Sequence, residues 1–132
     1  MFKIHKKIKY ALIALKYINE KPGQELVTAK QISLRYKIPF DPTARVLQIM
    51  AQHGLLSAEQ GACGGYRKEK DFSGLSLYDL SGMIVGPFAV TDCCRQPSVC
   101  ERAEDCVLKD AMLGLNARML KVFREITVKE MI

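Results

Sequence analysis

Ile8, Ala11, Leu12, Leu15 and Ile18 recur at helical spacing, which predicts an amphipathic helix over roughly residues 4–20. Lys21-Pro22-Gly23 stops it. Thr28-Ala29-Lys30-Gln31 has the pattern of a capping box: the Thr hydroxyl accepts from an early helix N–H and the Gln reaches back. The short helix it opens should run to about Tyr36, with Lys37-Ile38-Pro39-Phe40 as the turn after it. Asp41 then caps a third helix, with Pro42 at its first position, where a missing N–H costs nothing. Val46, Leu47 and Met50 should face the core, and Gly54 ends the helix.

Beyond Gly54 the pattern changes. Leu55-Leu56-Ser57-Ala58-Glu59-Gln60 and Tyr66-Arg67-Lys68-Glu69-Lys70 flank the glycine-rich Gly61-Ala62-Cys63-Gly64-Gly65, which predicts a β-hairpin. Short helix, turn, helix and hairpin together make a winged helix-turn-helix. Its second helix, about residues 42–53, would enter a major groove while the hairpin lies along the backbone or minor groove. Thr43, Arg45 and Gln48, near the start of that helix, are the candidate groove residues. Arginine pairs best with guanine and glutamine with adenine, although a plain phosphate contact is the alternative for Arg45. Arg67 and Lys68 on the wing would meet phosphates, and the Tyr66 hydroxyl could reach one while its ring anchors the hairpin.

Ser76 caps a further helix that ends near Val85, where Gly86-Pro87 breaks it. A long helix begins after Cys106. Leu108, Met112, Leu115, Met119, Val122 and Ile126 alternate four and three residues apart along it. So narrow a stripe over nearly three heptads suits a partner helix, and a chain this small cannot cover a second helical seam by itself. The alternative is packing on its own domain. Thr127-Val128-Lys129-Glu130 can cap one last turn. The expected fold is mainly α with a small β-hairpin wing. Its units are a winged helix-turn-helix over about residues 1–86, a cysteine-rich loop over about 87–106 and a dimerisation helix over about 107–132.

Charge sharpens this picture. Residues 1–70 hold 13 Lys/Arg against 5 Asp/Glu, net +8, whereas residues 71–132 hold 7 against 9, net −2. Placement of this charge on the helix-turn-helix makes that half the expected polyanion-binding half, with a solvated lysine surface as the alternative that charge alone does not exclude. No stretch is long and apolar enough to span a bilayer. Lys9, Lys16 and Asn19 interrupt the apolar residues after the basic start, so no signal peptide is expected and the chain should stay in the cytoplasm.

Thiols stay reduced there, and five cysteines, an odd number, point to metal or redox chemistry rather than a disulfide framework. Cys94, Cys100 and Cys106 are evenly spaced, with five residues between neighbours, in a loop that contains Pro97 and little to pack. Thiolates are soft ligands suited to iron–sulfur clusters, zinc and copper(I). Cys63 sits in the wing turn, far along the chain from the others, and reads as a spare thiol, with an exposed redox reporter as the alternative. His5 and His53 read as surface or DNA-facing, and Met112 and Met119 as helix core. The glycine-rich turn lacks the Gly-Lys-Ser/Thr ending of a P-loop, and the two histidines assemble no catalytic triad, so no enzyme is expected.

In this order the chain resembles the Rrf-two family of bacterial transcription factors, which includes iron–sulfur cluster regulators and nitric-oxide-sensing repressors. Lys9-Tyr10-Ala11-Leu12 is similar to the family's opening helix. Gly54-Leu55-Leu56-Ser57 and Gly61-Ala62-Cys63-Gly64-Gly65-Tyr66 are similar to its wing, and Cys94, Cys100 and Cys106 match its cluster cysteines in spacing. The resemblance implies a homodimer on a double-stranded operator, with one two-iron or four-iron cluster per subunit. Some relatives supply a histidine as fourth ligand where this chain has Lys109, and others an aspartate where it has Lys9. A protonated ammonium is no ligand. The fourth position is then open to Cys93, Asp110, Asp92, solvent or a small thiol, although adjacent cysteines reach one iron only with strain. Ala44 and Gln60 replace a glutamate and an arginine of one relative, which implies a different operator.

Two other functions compete with a cluster-controlled repressor. One keeps DNA binding and makes Cys93, Cys94, Cys100 and Cys106 a thiol–disulfide or zinc switch. The other is a small iron–sulfur electron carrier or protein-interaction module, against which the basic helix-turn-helix half argues.

Overall fold

A computed structural model describes residues 3–96, 98 and 100–132. Pro97 and Val99 of the cysteine loop, with Met1 and Phe2 of the basic start, lie outside the described residues. The order is α1 (Lys6–Glu20), α2 (Ala29–Tyr36), α3 (Phe40–Gln52), β1 (Leu56–Glu59), β2 (Gly65–Lys68), α4 (Leu77–Val85), α5 (Asp92–Arg95), α6 (Lys109–Glu125) and α7 (Val128–Met131). This is the mainly helical fold with a two-stranded wing that the pattern predicts.

Local chemistry sets most boundaries. His5 caps α1 by accepting from the Lys7 N–H at 3.2 Å. Thr28 and Gln31 form the expected capping box of α2, and Ser76 with Asp79 and Thr127 with Glu130 repeat it at α4 and α7. One boundary differs. Helix α3 starts at Phe40, with Pro39 as its cap, so Asp41 lies in the first turn and makes no cap bond. Its carboxylate still favours that end of the helix through the macrodipole. Gly54, at φ 74°, follows the helix in the left-handed region, and the Leu55 N–H returns to the Met50 carbonyl.

Helix α3 is the hub, packing against α1, α2, β1 and α4. Val46, Leu47 and Met50 meet Leu15 and Ile32 in the core with no exposure. Each such side chain contributes about 1.5–3 kcal/mol relative to being left in water. The wing strands pair antiparallel, Leu56 opposite Lys68 and Glu59 opposite Gly65. A third segment ties the hairpin to the domain: Tyr66 and Val27 exchange both backbone bonds, at 2.7 and 2.8 Å. A Cβ at Gly65 would stand 2.9 Å from the Val27 carbonyl oxygen, and one at Gly64 would collide with that of Glu59. Glycine is needed at both for this close approach.

Helix α6 leans on α4 through Phe123, its only buried residue among those described, whose ring centroid is 4.5 Å from that of Phe88. The Leu77 N–H donates to the Ile126 carbonyl and the Val128 N–H to the Leu75 carbonyl, which fastens the end of α6 to the start of α4. Half of the α6 stripe is open: Leu108, Leu115 and Val122, seven residues apart, are 55%, 42% and 46% exposed, while Met112, Met119 and Ile126 are partly covered.

Candidate DNA-reading face and thiol pocket

The outer face of α3 carries Asp41, Arg45, Gln48 and Gln52, all exposed and spaced four, three and four residues apart. Two of the three expected groove residues, Arg45 and Gln48, therefore share one open surface. Thr43 does not join them. It is fully buried, and its hydroxyl donates to the Pro39 carbonyl at 2.6 Å. Position 43 falls on the inward side of α3, one turn before Val46 and Leu47, so its short hydroxyl satisfies backbone instead of reading bases. Across the same turn the Ser33 hydroxyl donates to the Ile38 carbonyl at 2.6 Å. These two bonds fix the α2–α3 turn, with Lys37 in the left-handed region at φ 54°.

The basic wing residues are engaged within the molecule. Arg67 meets Glu59 at 2.7 Å. The Lys68 ammonium lies 3.5 Å from Asp71, donates to the Asn19 side chain at 3.2 Å and sits 4.8 Å above the Phe72 ring. Tyr66 is half-buried against the core, and burial pushes its hydroxyl pKa up, so it stays a neutral donor. Cys63 is exposed at the hairpin tip, away from the other thiols.

Those other thiols gather. Cys93, Cys94, Cys100 and Cys106 line one pocket of about 80 Å³ at the start of α6, together with Ala103, Lys109, Met112 and Leu113. Where a loop was expected, Asp92–Arg95 form the short helix α5, and it carries Cys93 and Cys94. The Thr91 hydroxyl donates to Cys94 Sγ at 3.2 Å and lies 2.9 Å from Cys93 Sγ. The Cys94 thiol points at the Met112 carbonyl, 3.7 Å away. Asn116 of α6 accepts from the Val90 N–H at 2.9 Å and holds the segment that leads into α5. Among the described residues, no three His, Cys, Asp or Glu side chains converge on the position of a single metal ion. A multi-iron cluster is larger than one ion and holds its ligand sulfurs further apart. Four cysteine thiols in a lining whose other residues are Ala103, Lys109, Met112 and Leu113 fit such a group in donor chemistry. Asp92 and Asp110 are exposed and do not line the pocket.

The thiol segment also shares a cleft with the winged helix-turn-helix half. Arg95 of α5 lines a cleft of about 620 Å³ with Lys3, His5 and Lys7 at the start of α1 and with Ile84, Phe88 and Phe123. Helix α1 packs in turn on α3. Sequence reasoning missed Thr91, Asn116 and Phe123, which shape this region. Only Phe123 left a signal, as an apolar position beside the heptad stripe. It also missed the anions that hold the wing, Glu59 and Asp71, because a charge in sequence does not name its partner.

A family model described as an iron-dependent transcriptional regulator, Rrf2, matches residues 4–132. The HTH-type transcriptional regulator NsrR of Shouchella clausii is 24% identical over 124 residues, covering 93% of this chain and 83% of that protein. Among solved structures, CymR, the global cysteine regulator of B. subtilis, superposes with a TM-score of 0.74 at 20% identity, covering 99% of this chain and 96% of that one. IscR of T. potens does so with a TM-score of 0.68 at 19% identity, covering 98% and 85%. Both structures share the fold. With the family model spanning the winged helix-turn-helix, the cysteine segment and α6 alike, the chain belongs to the Rrf2 family of transcriptional regulators.

Proposed function

We propose that this chain is a homodimeric transcriptional repressor whose affinity for a double-stranded DNA operator is set by an iron–sulfur cluster, two-iron or four-iron, bound by Cys94, Cys100 and Cys106. One observation carries the reading: three evenly spaced cysteines, brought together on one pocket beside α6, lie in a chain whose basic half is a winged helix-turn-helix. Arg45 and Gln48 read base edges from α3, and the Tyr66 hydroxyl, Arg67 and Lys68 meet phosphates from the wing. Leu108, Leu115 and Val122 form the dimer seam, since their exposure leaves an apolar heptad stripe for a second α6 to cover.

When bound, the cluster supplies an inorganic centre that reacts with oxidants or small gases. The chain's own residues do the rest. Thr91 orients two thiols and Asn116 pins the approach to α5. Arg95 shares a cleft with the start of α1, and α1 packs on α3, which is the route by which a rearrangement of the thiol segment would reach the reading helix. A useful switch needs about 1–3 kcal/mol of coupling between the two sites. The test is anaerobic purification with iron and sulfide analysis, visible absorption and a gel shift with and without the cluster. Visible bands and an operator affinity that changes on cluster loss are expected. Iron-free protein whose DNA binding answers only to zinc or thiol oxidation would overturn the cluster.

A further inference from the structure

We propose that Cys93 is the fourth protein ligand, so that Cys93, Cys94, Cys100 and Cys106 hold the cluster as an all-cysteine set within one subunit. This rests on the cluster reading above and goes beyond its three cysteines. The pocket supplies the argument. Its lining contains four cysteine thiols and, among the described residues, no histidine or carboxylate. Asp92, Glu101, Glu104, Asp105 and Asp110, the oxygen donors nearest in sequence, are all exposed and outside the lining. Cys93 and Cys94 lie against the same Thr91 hydroxyl, at 2.9 and 3.2 Å, so their sulfurs are no further apart than the sum of those distances.

Two neighbouring cysteines strain when they must share one iron. A cluster removes that strain, because adjacent sulfurs can bind adjacent irons. Ligation takes a proton from each thiol, releases it to solvent and forms one sulfur–iron bond in place of each S–H. The lining residue Lys109 then has a task. It cannot donate to iron, but a cationic side chain in the lining offsets the negative charge of an all-thiolate site. Cys63, exposed in the wing, stays outside the set.

The experiment uses the full chain, purified anaerobically and reconstituted with ⁵⁷Fe and sulfide. In Mössbauer spectra, Cys93→Ser should retain iron but give one iron site parameters of oxygen ligation, while Cys63→Ser leaves the spectrum unchanged. In parallel, alkylation of cluster-loaded and iron-free wild-type protein is mapped by mass spectrometry. Loading should protect Cys93 to the same degree as Cys94, Cys100 and Cys106. This arm needs no substitution, so a Cys93 variant that fails to fold does not blunt the test. A spectrum of Cys93→Ser identical to wild type, or a Cys93 that alkylates as fast with the cluster as without it, overturns the fourth-ligand assignment alone. Wild-type protein that takes up no iron overturns it together with the reading beneath it.

Discussion

Arg67 and Glu59 are diagonal neighbours across the wing, with Nη1 of the guanidinium 2.7 Å from Oε1 of the carboxylate. The arginine proposed to meet phosphate is already paired, so in that reading DNA competes with Glu59 for it. The pair is partly exposed, so it contributes only about 0.2–1 kcal/mol to the fold. Glu59→Ala should leave stability nearly unchanged and strengthen binding to all DNA sequences alike. Arg67→Ala and Lys68→Ala should weaken all sequences alike and lower the salt slope by about one unit each. Binding titrations at several salt concentrations check both directions. Unchanged low-salt affinity in both Arg67→Ala and Lys68→Ala means that the wing does not touch DNA.

Arg45 and Gln48 should behave differently. Removing either relaxes preference at one base position by roughly 1–3 kcal/mol if the contact is bidentate. Single-base operator variants report this, and an equal loss on every variant makes Arg45 a backbone clamp. Thr43→Val is the contrast. Its hydroxyl serves Pro39 in the interior, so stability should fall by about 1 kcal/mol, seen as a lower denaturant midpoint, with base preference unaltered.

Cys94→Ala, Cys100→Ala and Cys106→Ala should each abolish iron retention, whereas Cys63→Ala should keep it. Iron and sulfide analysis of anaerobic preparations decides this residue by residue. Normal iron in one of the first three variants removes that cysteine from the ligand set.

Helix α6 offers a paired test. Leu115 is 42% exposed in the single chain, so Leu115→Asp should leave the subunit folded but place an unpaired charge in the proposed dimer seam. Sedimentation should then show monomers with unchanged helical content. An intact dimer of unchanged affinity puts the seam elsewhere. Phe123→Ala acts inside the subunit, where it empties part of the α4–α6 contact and should cost about 3–5 kcal/mol of stability.

Acid should loosen the segment after the wing. Ser73 donates to Asp71 from its hydroxyl at 2.5 Å and from its N–H at 3.3 Å, and these bonds, with Lys68 nearby, hold the Asp71 carboxyl below the usual carboxylate range. A pKa lowered by folding stabilises the fold above the ordinary carboxylate range, and that stability fades as pH falls through the folded value. Asp71→Asn should therefore flatten the decline of stability between about pH 5 and about pH 3. Urea midpoints across that window measure it, and parallel curves for the two proteins would assign the decline to other groups.

Much of this molecule was legible because its signals are local. Capping boxes at Thr28, Ser76 and Thr127 need only neighbours three residues away, and the hairpin announces itself by its glycines. The cysteine spacing and the heptad stripe are likewise patterns along the chain. Tertiary structure decided what periodicity cannot. Thr43 and Arg45 are two residues apart on one helix, and only the packing of α3 on its neighbours sends the first inward and leaves the second in water. Arg67 and Lys68 advertise charge, yet their partners Glu59 and Asn19 come from another strand and another helix. The gathering of Cys93 with Cys94, Cys100 and Cys106 depends on how α5 docks against α6, through Thr91, Met112 and Asn116. Sequence by itself determined most of the elements and the residue types they carry, though not α5, which forms inside the cysteine segment, nor the first residue of α3. Which side chains face each other was decided by burial and long-range hydrogen bonding, whose energies depend on distances between groups far apart in the chain.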